Sequence, residues 1–404
     1  MRPLLLSLLF ASAAFGQTID PGFTVVTSPY STPFLPLSTE AQAVAEAGAF
    51  GHAEDPLRLL DNPALLADFA DGVRVSGHLL TDWLGVGDLS SSGAAVAGGV
   101  RTRLGGLPTS VGVGLAYGAF SQPRYDVYDE DGILLGTFPE GSDDVLALGV
   151  GVGIEGPVRV RVGGSVQSLR SQPLYANDPS DPISLAGDPF ERATATAADL
   201  GLDVTLPLGR WLQPEPTAGG IGLVLDATVG YALRGLALSG EAPVGYAPNA
   251  ERRPTAGLAL RGAAVVGARS AAPLHAVEVE FLTGAEDPGT DAWGDLSASN
   301  VLLGANPDEN AVVHRALRAT VGEALTLSRG TMEGASLVPR ASWGLGVNVG
   351  GALRLAGVAL DRPDLYGLGR RFDLRYTYAQ YTFDPDDSPF GDTPAHGVVL
   401  RVRP

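Results

Sequence analysis

The stretch DDVLALGVGVGIEGPVRVRVGGSVQSL, residues 143–169, decides the fold class of this chain. In its first half leucine, valine and isoleucine alternate with alanine and glycine, and in its second half valines alternate with Arg159, Arg161, Ser165 and Gln167. Successive side chains of a β-strand face opposite sides, so the pattern predicts a hairpin around a turn at Gly156-Pro157. Each strand is about ten residues long, which is the length that a membrane-spanning β-strand needs.

The same alternation also occurs in soluble β-sandwiches, where one strand face packs in the core. The N-terminus favours an exported protein instead. A basic Arg2, an apolar run at residues 4–10 and small residues before Gln17 predict a cleaved signal peptide over residues 1–16. The apolar run is too short to span a bilayer as a helix. We therefore expect the mature chain to leave the cytoplasm.

Composition narrows the possible classes of protein. No later segment holds eighteen consecutive apolar residues, which argues against a helical membrane protein. The chain has no cysteine, which excludes a disulfide scaffold and a lipid-anchored lipoprotein. All 27 basic residues are arginine and the net charge is -18, so nucleic acid is an unfavourable partner.

The ten-residue rhythm recurs along the chain, with turn residues between the segments. It predicts fifteen candidate strands, at residues 72–80, 93–103, 109–120, 143–155, 157–169, 195–206, 220–233, 255–266, 274–283, 311–320, 323–328, 340–350, 352–360, 371–383 and 396–403. Closed bacterial barrels favour an even number of strands. We therefore predict an all-β fold, a transmembrane antiparallel barrel of about 14 strands, with one candidate belonging to a loop or plug.

Connections and aromatic residues are distributed as a membrane barrel requires. Tight turns are predicted at residues 105–108, 156–157 and 350–351, and long acidic loops at residues 121–142, 170–194, 207–219 and 284–310. Outer-membrane barrels have short periplasmic turns and longer external loops. Ordinary packing and an interfacial girdle are equally compatible with the aromatic residues near strand ends, which are Tyr117, Phe120, Tyr376, Tyr378, Tyr381 and Phe383.

Residues 17–71 are predicted to form an N-terminal extension and plug ahead of the barrel, which is predicted to span residues 72–404. Residues 44–71 lack the strand rhythm, so from the pattern alone they are either a linker or a plug in the barrel mouth. This segment contains the motifs Ala45-Glu46-Ala47-Gly48-Ala49-Phe50, Ala53-Glu54-Asp55-Pro56 and Asp61-Asn62-Pro63-Ala64-Leu65-Leu66. They resemble the N-terminal signature of FadL-like outer-membrane barrels, most of all the PorV/PorQ branch that is associated with type IX secretion. Three C-terminal segments, residues 316–322, 343–347 and 372–378, resemble the last hairpins of that branch.

The resemblance implies a barrel with an N-terminal plug, and it implies that Gly48, Asp55, Asn62, Pro63 and Ala64 form the plug motif. Leu65 stands where the family has a glycine, and the chain ends on Arg403-Pro404 rather than on an aromatic residue. These departures concern the branch more than the barrel.

Catalytic and metal sites find little support. The five histidines have no metalloprotease spacing, and the glycine alternation at residues 149–153 lacks the lysine and the following helix of a nucleotide loop. Ser76 and His78 are the nearest candidate nucleophile and base, yet they have no identified orienting group. We expect no enzyme activity, no cofactor and no structural metal. Loose calcium binding by the acidic loops stays open, at Asp384, Asp386 and Asp387 or at Glu286 and Asp287.

Two functions from different classes remain. The first is a secretion-associated outer-membrane protein of PorV/PorQ type, whose acidic external loops bind secreted cargo proteins or secretion machinery. The second is a FadL-like channel for uptake of hydrophobic small molecules. Both place the protein in the outer membrane of a Gram-negative-type bacterium, in contact with lipid and lipopolysaccharide.

Overall fold

A computed structural model describes most of the chain. The described residues are 37–47, 49–81, 90–122, 125–128, 134–138, 141–172, 193–212, 221–240, 253–266, 274–286, 312–333, 341–382 and 392–403. The predicted signal peptide, Gly48 and much of the predicted long loops lie outside them.

Fourteen antiparallel strands form one closed barrel, as the sequence predicts. They are β1 Val73–Leu80, β2 Ser90–Leu104, β3 Leu107–Gln122, β6 Gly141–Glu155, β7 Arg159–Gln172, β8 Ala193–Leu206, β9 Ile221–Gly240, β10 Arg253–Val266, β11 Leu274–Glu286, β12 Val312–Val321, β13 Leu325–Glu333, β14 Ala341–Asn348, β15 Phe372–Thr382 and β16 Thr393–Val402. Each strand pairs with its neighbours in sequence, and β1 pairs with β16 to close the barrel. Two further strands, β4 Tyr125–Tyr128 and β5 Leu134–Phe138, form a separate hairpin in the connection between β3 and β6.

The hairpin of residues 143–169 is formed by β6 and β7, with Val152 opposite Val162 and Gly151 opposite Gly163. Leu148 is 63% exposed on the outer face, whereas its neighbour Ala147 is fully buried inside. The predicted division into an apolar outer face and a small or charged inner face is confirmed.

Exposed apolar side chains occur on the outer face of all fourteen barrel strands. A water-soluble barrel would not expose a continuous apolar surface of this extent. Such a surface is stable when it faces lipid, and closure of the barrel satisfies every strand edge within the bilayer. The barrel is therefore a membrane barrel of the outer-membrane type. None of the described helices is both long and apolar enough to cross a bilayer.

The aromatic residues divide between the two faces of the barrel. Tyr117 and Tyr376 are exposed on the outside, and Tyr378 packs against the outward Trp343 with ring centroids 5.1 Å apart. Phe120 and Tyr381 are buried and face inward, so these two residues fit ordinary packing and not an outward girdle. Phe383 lies outside the described residues.

One end of the barrel carries the tight turns at Gly105-Gly106, between β2 and β3, and at Gly322, between β12 and β13. This end also holds two connections that contain helices, α2 Leu208–Leu212, and α3 Val349–Ala359 followed by α4 Pro363–Arg371. Residues 207–219 were therefore wrongly assigned to the long external loops. By the rule that short connections face the periplasm, we call this the periplasmic end.

The candidate strand at residues 352–360 and the tight turn at residues 350–351 are wrong, because these residues belong to α3. The alternation Leu353-Arg354-Leu355 imitates a strand, but alanine and leucine are strong helix formers. The side chain of Asn348 caps the helix by accepting a hydrogen bond from the backbone nitrogen of Gly351 at 2.8 Å.

Residues 37–47 and 49–71, which we call the inner segment, lie inside the barrel. The segment contains α1 Thr39–Ala43 and two 3₁₀ helices, Pro56–Leu60 and Pro63–Phe69. It contacts inward glycines around the whole wall, from Gly93 on β2 and Gly151 on β6 to Gly257 on β10 and Gly344 on β14. Glycine is required at these positions because the segment leaves no room for a side chain there.

Candidate functional site

The candidate site is the contact between the inner segment and the barrel wall, together with the cavity below it. On one side of the segment, leucines and Phe69 pack against the inner faces of β2, β3, β6, β7 and β8. This cluster contains Leu57, Leu59, Leu60, Leu65, Leu66 and Phe69 from the segment, and Ala95, Ala97, Ala116, Val145, Ala147, Leu169 and Ala197 from the wall. The burial of this much apolar surface holds the segment in place.

The inward glycines allow the inner segment to approach the barrel wall closely. A β-carbon added at Gly149 would lie 2.8 Å from Cδ1 of Leu59, and one added at Gly151 would lie 2.9 Å from Cβ of Leu66. Gly112 lies directly against the backbone carbonyl of Leu66. The prediction that Gly149, Gly151 and Gly153 face a packed lumen rather than a wide pore is confirmed, since Gly153 faces the side chain of Ala67.

Asn62 connects the inner segment to β8. Its Oδ1 accepts a hydrogen bond from the backbone nitrogen of Ala64 at 3.0 Å, which caps the second 3₁₀ helix. Its Nδ2 donates to the carbonyl oxygen of Ala49 and to Oδ1 of Asp203, each at 3.1 Å. The side chain is completely buried, and it lies against Gly201, so a larger residue at either position has no space.

Pro63 and Ala64 follow this cap and touch the wall through their backbone. The carbonyl oxygen of Pro63 lies 2.9 Å from the position that a β-carbon of Gly151 would take. Gly163 on β7 lies against the peptide bond between Pro63 and Ala64. Proline at the first helical position needs no hydrogen-bond acceptor for a backbone N–H, which suits a turn pressed against a strand.

Asp55 caps the first 3₁₀ helix of the inner segment, as Asn62 caps the second. It faces a different part of the barrel wall from Asn62. Its Oδ1 accepts from the backbone nitrogen of Leu57 at 2.9 Å, and its Oδ2 accepts from Oγ of Ser38 at 2.7 Å. Burial raises the pKa of Asp55 to about 6, against the opposing effect of its hydrogen bonds with Ser38 and with the backbone of Leu57. Asp55 and Asn62 thus stabilise separate turns and do not converge on one ligand position.

Arg161 on β7 joins the inner segment to the wall by charge. Its guanidinium lies 2.5 Å from Oδ2 of Asp68 in the segment and 3.0 Å from Oδ2 of Asp203 on β8. It also donates to the carbonyl oxygen of Gly51 at 2.7 Å. Arg161 and Asp203 are buried and the Asp68 side chain is 11% exposed, so loss of the arginine would remove a counter-charge from both carboxylates.

His52 extends this group of charges. Its Nε2 lies 2.9 Å from Oε1 of Glu54, and its Nδ1 lies 3.7 Å from Oδ2 of Asp68. Burial lowers the pKa of His52, but the interaction with Asp68, the hydrogen bond with Glu54 and the negative charges of both carboxylates outweigh burial and raise the pKa to about 9. His52 is therefore protonated at neutral pH.

Further arginines of the wall hold the same part of the segment. Arg74 of β1 lies 3.2 Å from Glu54 and stacks its guanidinium 4.7 Å above the ring of Phe69. Arg318 of β12 lies 2.8 Å from Glu40 and also pairs with Glu280. The segment is thus held by apolar packing on one side and by ion pairs on the other.

A cavity of about 520 Å³, which we call the vestibule, lies between the inner segment and the periplasmic end. Eleven arginines and seven carboxylates line it, together with His52 and His275. Most of these arginines pair with a carboxylate within 4 Å, including carboxylates such as Glu40 and Asp203 that lie behind the lining. The vestibule is accordingly suited to water and polar solutes rather than to an apolar ligand.

Residue pairs proposed for chemistry from the sequence do not form in the described part of the chain. His78 contacts Thr39 at 2.8 Å and Ser91 at 3.3 Å rather than Ser76. Glu286 pairs with Arg234 at 2.8 Å. The described residues contain no group of three potential metal ligands, and the other acidic residues considered for calcium lie outside them.

Sequence reasoning missed the arginines and carboxylates that hold the segment. Arg161 lies between Val160 and Val162, and Asp203 lies between Leu202 and Val204. A charged residue flanked by outward apolar residues must face the lumen, which was the available signal. The pairing of Arg161 with Asp68 could not be predicted from the sequence, because the two residues are far apart in the chain.

The sequence matches no protein-family model, and no curated protein matches it. Among solved structures, the chain is similar to the toluene transporter TbuX of Ralstonia pickettii, with 14% identity, coverage of 89% of this chain and 97% of that chain, and a TM-score of 0.45. It is also similar to the toluene transporter TodX of Pseudomonas putida, with 11% identity, coverage of 89% and 96%, and a TM-score of 0.37.

The transport unit of the autotransporter AIDA-I from Escherichia coli has 9% identity, coverage of 84% and 96%, and a TM-score of 0.34. Identities and scores as low as these carry no inference about substrate or partner.

Proposed function

We propose that the protein is a gated outer-membrane channel in which the inner segment acts as the plug, and that its solutes are small hydrophobic molecules. The observation that carries the proposal is how the segment is attached. Among the described residues, no backbone-to-backbone hydrogen bond joins it to a barrel strand, and the hydrogen bonds and ion pairs between them each involve a side chain. The segment can therefore shift without unpairing the wall.

The apolar side of the segment supports the choice of solute. If the two 3₁₀ helices move away from the wall, they uncover alanines, glycines and Val145 on β2, β3 and β6. These wall residues carry no polar side chains and can accommodate hydrocarbon. The vestibule lies between the segment and the periplasmic end, so a solute that passes the segment would enter it.

The secretion hypothesis, which the sequence places first, depends on acidic external loops. Most of those loops lie outside the described residues, so binding of cargo or of secretion machinery remains a prediction. No observation on the described barrel favours it over the channel. The PorV/PorQ resemblance is likewise an expectation from the sequence.

An engineered disulfide that reversibly fixes the plug to the barrel wall tests the proposed function. The β-carbon of Ala67 lies 3.2 Å from the position of a β-carbon at Gly153, slightly below the usual disulfide range of about 3.5–4.5 Å. The chain has no native cysteine, so Ala67→Cys with Gly153→Cys introduces a single possible disulfide. We expect oxidation to abolish uptake of a labelled long-chain fatty acid or monoaromatic hydrocarbon by cells, and reduction to restore it.

The two single-cysteine variants serve as matched controls, because each carries one substitution and cannot form the lock. Uptake that continues unchanged through the oxidised double variant would show that solute does not need the segment to move. A deletion strain separates the two functions. Loss of hydrocarbon uptake with normal secretion supports the channel, whereas periplasmic accumulation of secreted proteins with normal uptake supports the secretion hypothesis.

A further inference from the structure

Helix α3 exposes its apolar side and buries the side that carries its one charged residue, which is the reverse of a helix on a water-soluble protein. Its buried side carries Gly350, Gly351, Arg354 and Gly357. Its exposed side is apolar, and it consists of Val349, Ala352, Leu355 and Ala359, followed by Leu360 at the C-terminal end. A helix on a soluble protein buries its apolar stripe and exposes its polar one.

The charged side of α3 faces the vestibule. Nε of Arg354 donates to Oε2 of Glu323 at 2.7 Å, and Nη1 donates to the carbonyl oxygen of Gly369 at 2.6 Å. Nη1 also lies 3.7 Å from Oδ2 of Asp373, which is an inward residue of β15. These contacts fix the rotation of the helix, so its apolar side is turned away from the barrel mouth.

The apolar side continues the outer surface of the barrel. Leu355 packs against Gly322 in the turn between β12 and β13. Val321 and Leu325, on either side of this turn, are outward residues that are 52% and 42% exposed. The helix also begins directly after Val347, an exposed outward residue of β14.

Strand β13, which begins at the turn that α3 contacts, has a short apolar row on its outer face. On β13 only Leu325 and Leu327 precede the exposed Arg329 on the outer face. On β6 the apolar outward row runs from Leu146 to Ile154. At the usual strand rise and tilt each residue adds about 2.5 Å of height, so these rows span about 5 Å and about 20 Å. The apolar band of an outer-membrane barrel is about 25 Å tall.

We propose that α3 lies in the periplasmic membrane interface and places its apolar side against lipid acyl chains. It would thereby extend the lipid-facing surface next to β13, whose outward apolar row is short. Helices with one strongly apolar face bind at this depth of a bilayer. The occupant of the surface is lipid because the helix face is continuous with the lipid-facing strands. This placement does not depend on what passes through the barrel.

Site-directed spin labelling in liposomes tests the proposal, and the absence of native cysteine makes it direct. One label is attached at Leu355→Cys on α3. A second, at Leu148→Cys, reports the established lipid-facing surface, since Leu148 is the exposed outward residue of β6. A third, at Asp364→Cys, reports water, since the Asp364 side chain on α4 is 60% exposed. Collision with oxygen, which concentrates in lipid, is compared with collision with a water-soluble nickel complex.

We expect the label at position 355 to have a high ratio of oxygen to nickel collisions, close to that at position 148 and well above that at position 364. A ratio equal to that at position 364 would place the helix in water and overturn the proposal. Protection from both reagents with spin–spin broadening between labels would assign the surface to a second copy of the chain, which also overturns it. Unchanged heat-modifiable migration on gels verifies that all three labelled barrels are folded.

Discussion

Gly151 is the position where one added methyl group tests the contact between the inner segment and the wall. A β-carbon there would lie 2.8 Å from the backbone nitrogen of Ala67, and 2.9 Å from both Cβ of Leu66 and the carbonyl oxygen of Pro63. Carbon atoms do not approach so closely, and two of these three atoms belong to the backbone. Gly151→Ala must therefore displace the segment, because the strand is fixed by pairing on both sides.

The expected cost follows from overpacking. Insertion of a methyl group into a filled core costs about 1–3 kcal/mol. The preference of a strand for alanine over glycine, about 0.5–1 kcal/mol, stabilises the barrel in the docked and the displaced state alike and does not offset this cost. A cost of about 1–3 kcal/mol to the docked state raises the population of the displaced segment about 5- to 150-fold.

Gly164→Ala is the matched control, because Gly164 faces outward on the neighbouring strand. A β-carbon there would come no closer than 3.7 Å to its nearest neighbours, the carbonyl oxygen of Asp199 and Cδ2 of Leu200. The two variants thus make the same chemical change on opposite faces of the wall. We expect Gly164→Ala to leave docking unchanged and to stabilise the barrel slightly.

Swelling of liposomes in isosmotic arabinose measures the opening, and limited proteolysis measures release of the segment. Gly151→Ala should swell faster and be cleaved faster than the parent, while its barrel still migrates as a folded species on gels. Equal swelling and cleavage rates in Gly151→Ala and Gly164→Ala would refute the claim that the segment is packed against Gly151.

Three other substitutions test the polar side of the contact. Asn62→Ala removes a cap and two donated hydrogen bonds, and we expect it to weaken docking by about 1–3 kcal/mol and speed proteolysis of the segment, whereas the capping variant Asn348→Ala on α3 should not. Arg161→Met removes the guanidinium that pairs with the buried Asp203 and with Asp68, while His52 remains beside Asp68, and the midpoint of heat unfolding on gels should fall, by the equivalent of about 3–5 kcal/mol. Protonated His52, whose pKa is raised to about 9, stabilises docking fully below the pKa of a free histidine, and this contribution is lost as pH rises through about 9. Proteolysis of the segment should therefore accelerate over that range, and His52→Gln should remove this pH dependence.

The position of α3 shows where local pattern fails. Leu353, Arg354 and Leu355 alternate as a strand would, and only the cap at Asn348 and the contacts of Arg354 with Glu323 and Asp373 select a helix. Two of these three interactions join residues that are distant in sequence. Alternation over nine residues therefore did not decide between the two structures.

For the charged contacts too, one part was predictable from the sequence and the other part depended on the tertiary structure. The inward orientation of Arg161 follows from its place between two outward valines, but its pairing with Asp68 and Asp203 required the barrel to close around the inner segment. Likewise, Asn62 is recognisable as a cap before a proline, while its bond to Asp203 is not.

The sequence by itself determined the strand rhythm and the small inner face of residues 143–169, because side-chain alternation is a local property of a strand, whereas the number of strands also needed the even count of closed barrels. Only the tertiary structure decided what that face touches. Gly149 and Gly151 meet Leu59 and Leu66 because closure of the barrel brings a preceding segment against the strand, and no local pattern encodes that contact.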